Sequence, residues 1–375
     1  MGINEIIIYA MVVFMVLGAI DKCLDNKFGL GAAFEEGFMA MGSLTLAMVG
    51  VICLAPVLAN ILKPIVVPIY SALGADPAMF ATTLLACDMG GFSLAVQLAQ
   101  TPEAGLFAGA ILGAMMGPTI VFTIPVALGI IEKEDHRFLA TGVLAGIITI
   151  PIGALVGGLV AGFPIMMILK NLVPIILFAV LIALGLWKIP EKMIKGFTYF
   201  GRFIIIVITI GLAAAVVEKL TGIVIIPGMA PISEGIAVVG DIAVVLAGAF
   251  PMVYIITKVF NKPLLALGKV LGMNDISAAG LVASLANNIP MFGMMKNMDD
   301  RGKIINVAFA VSGAFVFGDH LGFVAGVAKN MIFPMIVGKL VGGVAAVFVA
   351  MIIANKVLDK TKGGEANGKH ESTNA

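Results

Sequence analysis

Charge is what this 375-residue chain has least of. Asp, Glu, Lys and Arg supply 12% of its residues, where a soluble domain averages about 25%. Those charges nearly cancel, to a formal +1, so no basic face forms and no nucleic-acid partner is expected. Histidine and cysteine are equally scarce, at three each. Cys23, Cys53 and Cys87 have neither metal nor redox spacing, and no H-E-x-x-H occurs, so no metal site is expected. Cys53 reads as a small buried hydrophobe; Cys87 reads the same way, with a place beside Asp88 as its other role. There is no G-x-S-x-G elbow, no P-loop and no dinucleotide fingerprint, so no cofactor is expected and no ATPase drives this chain from within. Gly240-Asp241 and Gly318-Asp319 invite comparison with intramembrane aspartyl proteases, but the required Tyr-Asp pair is missing. An enzyme is not expected.

What the chain has in abundance is apolar length. It is 61% hydrophobic, with a mean hydropathy of +1.12. Apolar runs of about 18 residues or more with few or no charges are transmembrane candidates. Such runs are Ile6–Ile20 (short, extended through Asn4), Phe38–Leu62, Ala104–Ile131, Phe138–Phe163, Ile165–Trp187, Phe203–Val217, Ile236–Ile256, Ile304–Val327 and Ile332–Ala354. Two further segments, Ala78–Ala99 and Ile276–Met295, are apolar but interrupted. The expectation is an all-α polytopic membrane protein of about ten or eleven transmembrane helices, two of them broken and able to cross or re-enter. Residues 1–354 form one transmembrane domain, and the polar, Gly- and Lys-rich residues 355–375 read as a disordered tail. Met-Gly-Ile-Asn-Glu lacks the basic start of a signal peptide, and Ile6 replaces the Ser or Thr of a myristoylation site. The Lys-rich stretches Lys188–Arg202 and Lys258–Lys269 read as cytoplasmic loops, which puts the N-terminus in the cytoplasm.

The interrupted segments carry an internal correspondence. Pro64, Asp76 and Asp88 are spaced 12 and 12, as are Pro263, Asp275 and Asn287, at an offset of 199 residues. Repeat-like halves at about 37–163 and 235–354 follow, with Asp76 and Asp275 each capping the segment it precedes. Broken helices in corresponding positions of two halves point to the substrate site of a transporter.

Ionisable groups at bilayer depth cost about 2.5–3.5 kcal/mol each on insertion scales, so each needs a partner, a cavity or a function. Asp88 is flanked by Gly90 and Gly91, which let the backbone open; it can attract a cation or cap a half-helix. Asn287 and Asn288 offer neutral donors and acceptors to a ligand, or to the backbone freed by Pro290. Asp319-His320 can bind a cation, relay a proton or gate, or can stabilise a helix end. Secondary candidates are Asp241, Glu35 and Glu36 at interfaces or a mouth, and Thr119, whose hydroxyl more often bonds its own helix. Gly113, Gly117, Gly153, Gly157 and Gly158 read as close-packing positions.

Several long runs bring these residues together: F-E-E-G-F-M-A-M-G (Phe34–Gly42), L-L-A-C-D-M-G-G-F (Leu84–Phe92) and M-M-G-P-T-I-V-F-T-I-P-V-A-L-G-I-I-E (Met115–Glu132). With them stand L-A-N-N-I-P-M-F-G-M-M-K (Leu285–Lys296) and G-D-H-L-G-F (Gly318–Phe323). In these the chain resembles the ethanolamine permeases of bacterial ethanolamine-utilisation operons, the EutH type. Asp21–Ala33 and Phe163–Ile165 are shorter than in some members, which touches loops rather than the site. The resemblance implies a multi-pass protein of the bacterial inner membrane that takes up ethanolamine, surrounded by lipid. Glycine-rich helix faces would permit a homo-oligomer. A channel, or a proton-coupled carrier of another small amine or cation, remains a second reading, and an intramembrane enzyme a third. On the first reading Asp88 attracts the ammonium, Asn287 or Asn288 takes the hydroxyl, and Asp319-His320 gates or relays a proton. Only Phe92, Phe292 and Phe317 stand near these residues in sequence, so no aromatic cage is expected.

Overall fold

A computed structural model describes the backbone of residues 2–371 and the side chains of residues 2–259, 263, 266 and 268–355. Every regular element in it is helical. In chain order these are α1 (Ile3–Cys23), α2 (Leu30–Ala72), α3 (Ala78–Leu84), α4 (Gly91–Leu98), α5 (Pro102–Ile130), α6 (Lys133–Val160) and α7 (Ile165–Lys188). There follow α8 (Pro190–Thr221), α9 (Ile232–Val270), α10 (Asp275–Ala286), α11 (Asn288–Met294), α12 (Asp300–Gly313), α13 (Asp319–Val327) and α14 (Ile332–Glu371). Among the described residues, eight helices are long and apolar enough to cross a membrane. Three interrupted segments, α3–α4, α10–α11 and α12–α13, complete the bundle. The chain is an all-α polytopic membrane protein, and its outward faces are apolar: Ile61, Ile65, Leu181 and Ile206 are among many large hydrophobic side chains left exposed.

Three details differ from the sequence reading. Ile304–Val327, expected as one span, is broken between α12 and α13, where Ala314 is extended and Phe315 takes a φ of 63°. No proline or Gly-Gly pair signals this break; the extended stretch is held instead by N–H groups of Phe315 and Phe317 donating to the carbonyls of Ser284 and Leu285. The basic stretches expected as loops are helical, since α8 begins at Pro190 and α9 continues to Val270. Long lysine stems can cover apolar surface while their ammonium groups reach water, so a helix can run past the bilayer core there. Finally, Asn274 rather than Asp275 caps α10: its extended backbone turns the side-chain oxygen onto the Ser277 N–H. At α3 the N-cap position falls on Pro77 rather than Asp76, but Asp76 still serves the helix start, one carboxylate oxygen accepting from Ala78 N–H and the other from Gln100 N–H. Of the polar tail, side chains beyond Asn355 lie outside the described residues.

Packing divides the helices into two groups. One is α1, α2 and α9, with α8 laid along α2; the other is α6, α12 and α14. Small residues let the second group close tightly, since a Cβ on Gly153 would stand 2.5 Å from the carbonyl oxygen of Gly338. The broken segments lie between the groups. α5 crosses the interruption after α3 so closely that a Cβ on Gly117 would fall 1.9 Å from the Leu85 oxygen. A second close crossing is at the α12–α13 break, which lies across the interruption after α10 with the Cβ position of Gly318 2.1 Å from the Ala286 oxygen.

Candidate functional site

The break after α3 is made by local sequence. Leu85 and Ala86 are extended, Cys87–Met89 form one 3-10 turn, and Gly90 takes a φ of 83° before α4 begins. Only glycine fits at position 90, because a Cβ there would meet Val51 at 1.9 Å in a left-handed backbone. The turn holds Asp88 just ahead of the α4 N-terminus. On the other side, Asp319 is the first residue of α13. Both carboxylates thus sit where half-helix N–H groups are unpaired and the helix dipole favours negative charge.

Asp88, Asp319 and His320 line one cavity of about 620 Å³, between α2, α5, α8 and the crossing broken helices. Phe122 and Phe315 stand in its wall, edge to face with ring centroids 5.6 Å apart, and Phe315 lies 5.1 Å from the His320 ring. Exposed Arg202 and Ser43 contribute polar groups to the lining. Ion pairs among the described residues join Lys22 to Glu35, Arg137 to Asp300 and Lys303 to Asp135. None involves Asp88 or Asp319. Two carboxylates that form no ion pair among the described residues, facing a cavity with phenyl rings, suit a small cation by their chemistry.

The structure separates the remaining candidates from this cavity. The Asn287 side-chain oxygen accepts from the Ile289 N–H and caps α11. Asn288 is fully buried and donates to Thr123 Oγ1 at 3.0 Å. The facing of Asp88 by the two amides, expected from the repeat, is not the arrangement found; Asp319 and His320 face Asp88 instead. Thr119 Oγ1 donates to the Met115 carbonyl of its own helix at 2.9 Å. Asp241 is exposed, as are Glu35, which pairs with Lys22, and Glu36, which is within electrostatic reach of Asp319.

Three groups were not legible as site members. Phe122 and Phe315 line the cavity although nothing in the sequence sets them apart from the chain's other phenylalanines, so the aromatic wall went unread. Lys339, in α14, is 1% exposed and donates to the Ala114 carbonyl of α5. Its signal was present in the sequence, as a lone lysine in the middle of the run Ile332–Ala354. Sulfur of Cys87, a carboxylate oxygen of Asp88 and a ring nitrogen of His320 lie within 4.8 Å of one another. By donor type these could hold a metal ion, but the Lys339 ammonium, within electrostatic reach of all three, opposes a divalent cation there.

A family model described as "Ethanolamine utilisation protein, EutH" matches residues 3–353. The chain belongs to this EutH family. A Listeria monocytogenes relative named "Probable ethanolamine permease EutH" is 74% identical over 97% of this chain and 98% of its own length. An Escherichia coli protein of the same name is 57% identical over 95% of this chain and 97% of its own. A Bacillus subtilis relative at 57% identity, over 93% of this chain and 95% of its own, is named "Uncharacterized protein YxeR". No solved structure matches this EutH-family chain.

Proposed function

We propose that this protein carries ethanolamine across the bacterial inner membrane, and that the cavity bounded by Asp88 and Asp319 is its binding site. The observation that carries the reading is the pair of carboxylates at two half-helix starts that line one cavity and form no ion pair among the described residues. Ethanolamine is a primary amine with an ordinary amine basicity, and so is largely an ammonium near neutral pH. Asp88 and Asp319 offer that ammonium charge-assisted acceptors, which are stronger than neutral ones. Phe122 and Phe315 add the negative faces of their rings. The hydroxyl end can then be met by the His320 side chain, which lines the same cavity. This moves the hydroxyl site from Asn287 and Asn288, whose geometry suits holding the α10–α11 break. Names of the Listeria and Escherichia relatives support the substrate; the cavity supports the charge it carries.

The test is competition against uptake of radiolabelled ethanolamine. Propylamine, which keeps the ammonium, is expected to compete weakly, and ethylene glycol, which lacks it, not at all. Competition by ethylene glycol as strong as by unlabelled ethanolamine would remove the carboxylates from recognition.

A further inference from the structure

Lys339 takes no part in the site as drawn, yet it is the most buried charged side chain described, at 1% exposure. The other buried carboxylates each have a charged or backbone N–H partner on at least one oxygen. Asp135 pairs with Lys303, Asp76 accepts from Ala78 and Gln100, and Asp21 accepts from Phe28 and Gly31. Lys339 has one described partner, and it is neutral: the carbonyl oxygen of Ala114. That carbonyl, which also interacts with the His320 ring, lacks its own helical donor for a specific reason. In a helix it would accept from the N–H four residues on, but residue 118 is proline and has none. The backbone is opened there as well, Leu112–Ala114 forming a 3-10 turn and Met115 leaving helical geometry with a φ of −127°.

An orphan carbonyl on an unwound helix, beside a carboxylate, is how a transporter holds a coupling cation. The carboxylate is Asp88, within electrostatic reach of the Lys339 ammonium. Gly113 ties the two together, since its Cβ position is 3.3 Å from that of Cys87. Burying an ammonium is expensive, and a neutral side chain of similar length would pack at less cost. We propose that Lys339 is a tethered cation occupying the place of a coupling sodium ion, so that transport runs without sodium. The inference rests on the transport reading above. It also balances formal charge: Asp88 and Asp319 are offset by Lys339 and one monovalent substrate. Lys339 enters from the α14 side, on the Ala114 carbonyl, while the substrate ammonium arrives from the cavity.

The experiment measures uptake of radiolabelled ethanolamine by proteoliposomes in sodium and in potassium buffers, for the wild type and for Lys339→Ala. Wild-type uptake is expected to be the same in both. Lys339→Ala is expected to lose at least about tenfold in potassium, and to regain uptake when sodium or lithium can enter the vacated place. Such recovery is something a merely structural lysine would not show. A wild type that needs sodium overturns the inference. So does a Lys339→Ala protein as active as wild type in potassium, or one that is folded but equally inactive in both buffers. If the variant does not insert, the wild-type comparison decides alone. Absence of wild-type uptake in every buffer overturns the transport reading, and this inference with it.

Discussion

Replacing Asp88 by Asn exchanges one carboxylate oxygen for an amide group of nearly equal size, so the packing around it should be undisturbed. The size of the effect follows from what Asp88 lacks. Because no ion pair holds its carboxylate, the substitution breaks no internal bridge of the kind worth about 3–5 kcal/mol, and folding should survive it. What it removes is a charged acceptor for the ammonium. A hydrogen bond to a charged group contributes about 1.5–3 kcal/mol, which at about 1.4 kcal/mol per decade is a factor of about 10 to 150 in affinity. Initial uptake of radiolabelled ethanolamine at limiting concentration, normalised to the protein in the membrane, reads this directly. The loss should fall mainly on apparent KM. An uptake rate within about twofold of wild type, far below that range, at equal membrane abundance would refute the assignment of Asp88.

Phe122→Leu should raise apparent KM by about 2- to 30-fold if its ring faces the ammonium, since such contacts are worth about 0.5–2 kcal/mol; an unchanged KM would remove the phenyl wall from recognition. Asn288→Ala should lower thermal stability in detergent by about 1 kcal/mol through loss of the Thr123 hydrogen bond, with KM unchanged; a large rise in KM at constant stability would return the amide to the site. Gly90→Ala should destabilise by at least about 2 kcal/mol, combining a left-handed backbone with the clash on Val51. Gly42→Ala, with nothing within 4 Å of its Cβ position, is the control, and equal melting temperatures for the two would be the contrary result. Lys303→Met should cost about 3–5 kcal/mol by stranding the buried Asp135 carboxylate; the double variant with Asp135→Leu should recover much of it, and strict additivity would argue that the pair is not coupled.

The membrane class and the first break were written plainly in the sequence, because both depend on local chemistry. Apolar length forces helices in lipid, and Asp88-Met89-Gly90-Gly91 places a charge and two permissive residues at one point. The same is true of Asn287-Asn288-Ile289-Pro290, where the break was visible but its orientation was not. An amide can face a ligand or its own backbone, and only the geometry at Ile289 and Thr123 separates the two. The α12–α13 break escaped notice because its cause is tertiary: Phe315 and Phe317 find their acceptors on a segment about thirty residues earlier. Phe122 and Phe315 joined the cavity by that same crossing, and apolar residues in a 61% hydrophobic chain carry no mark of which face they line. Lys339 was different. It is a charge inside the apolar run Ile332–Ala354 that the sequence reading passed over, and its meaning needed the partner, a carbonyl freed by Pro118 on a helix more than two hundred residues away.

The account's central claim is that this chain moves intact ethanolamine through a site of its own. Purified protein in sealed proteoliposomes, supplied with radiolabelled ethanolamine, tests it without any other component of the cell. The account predicts saturable entry, suppressed by excess unlabelled ethanolamine, with chemically unchanged ethanolamine recovered from the lumen. Uptake no greater than in protein-free liposomes, or recovery of the label only in another compound, would contradict it.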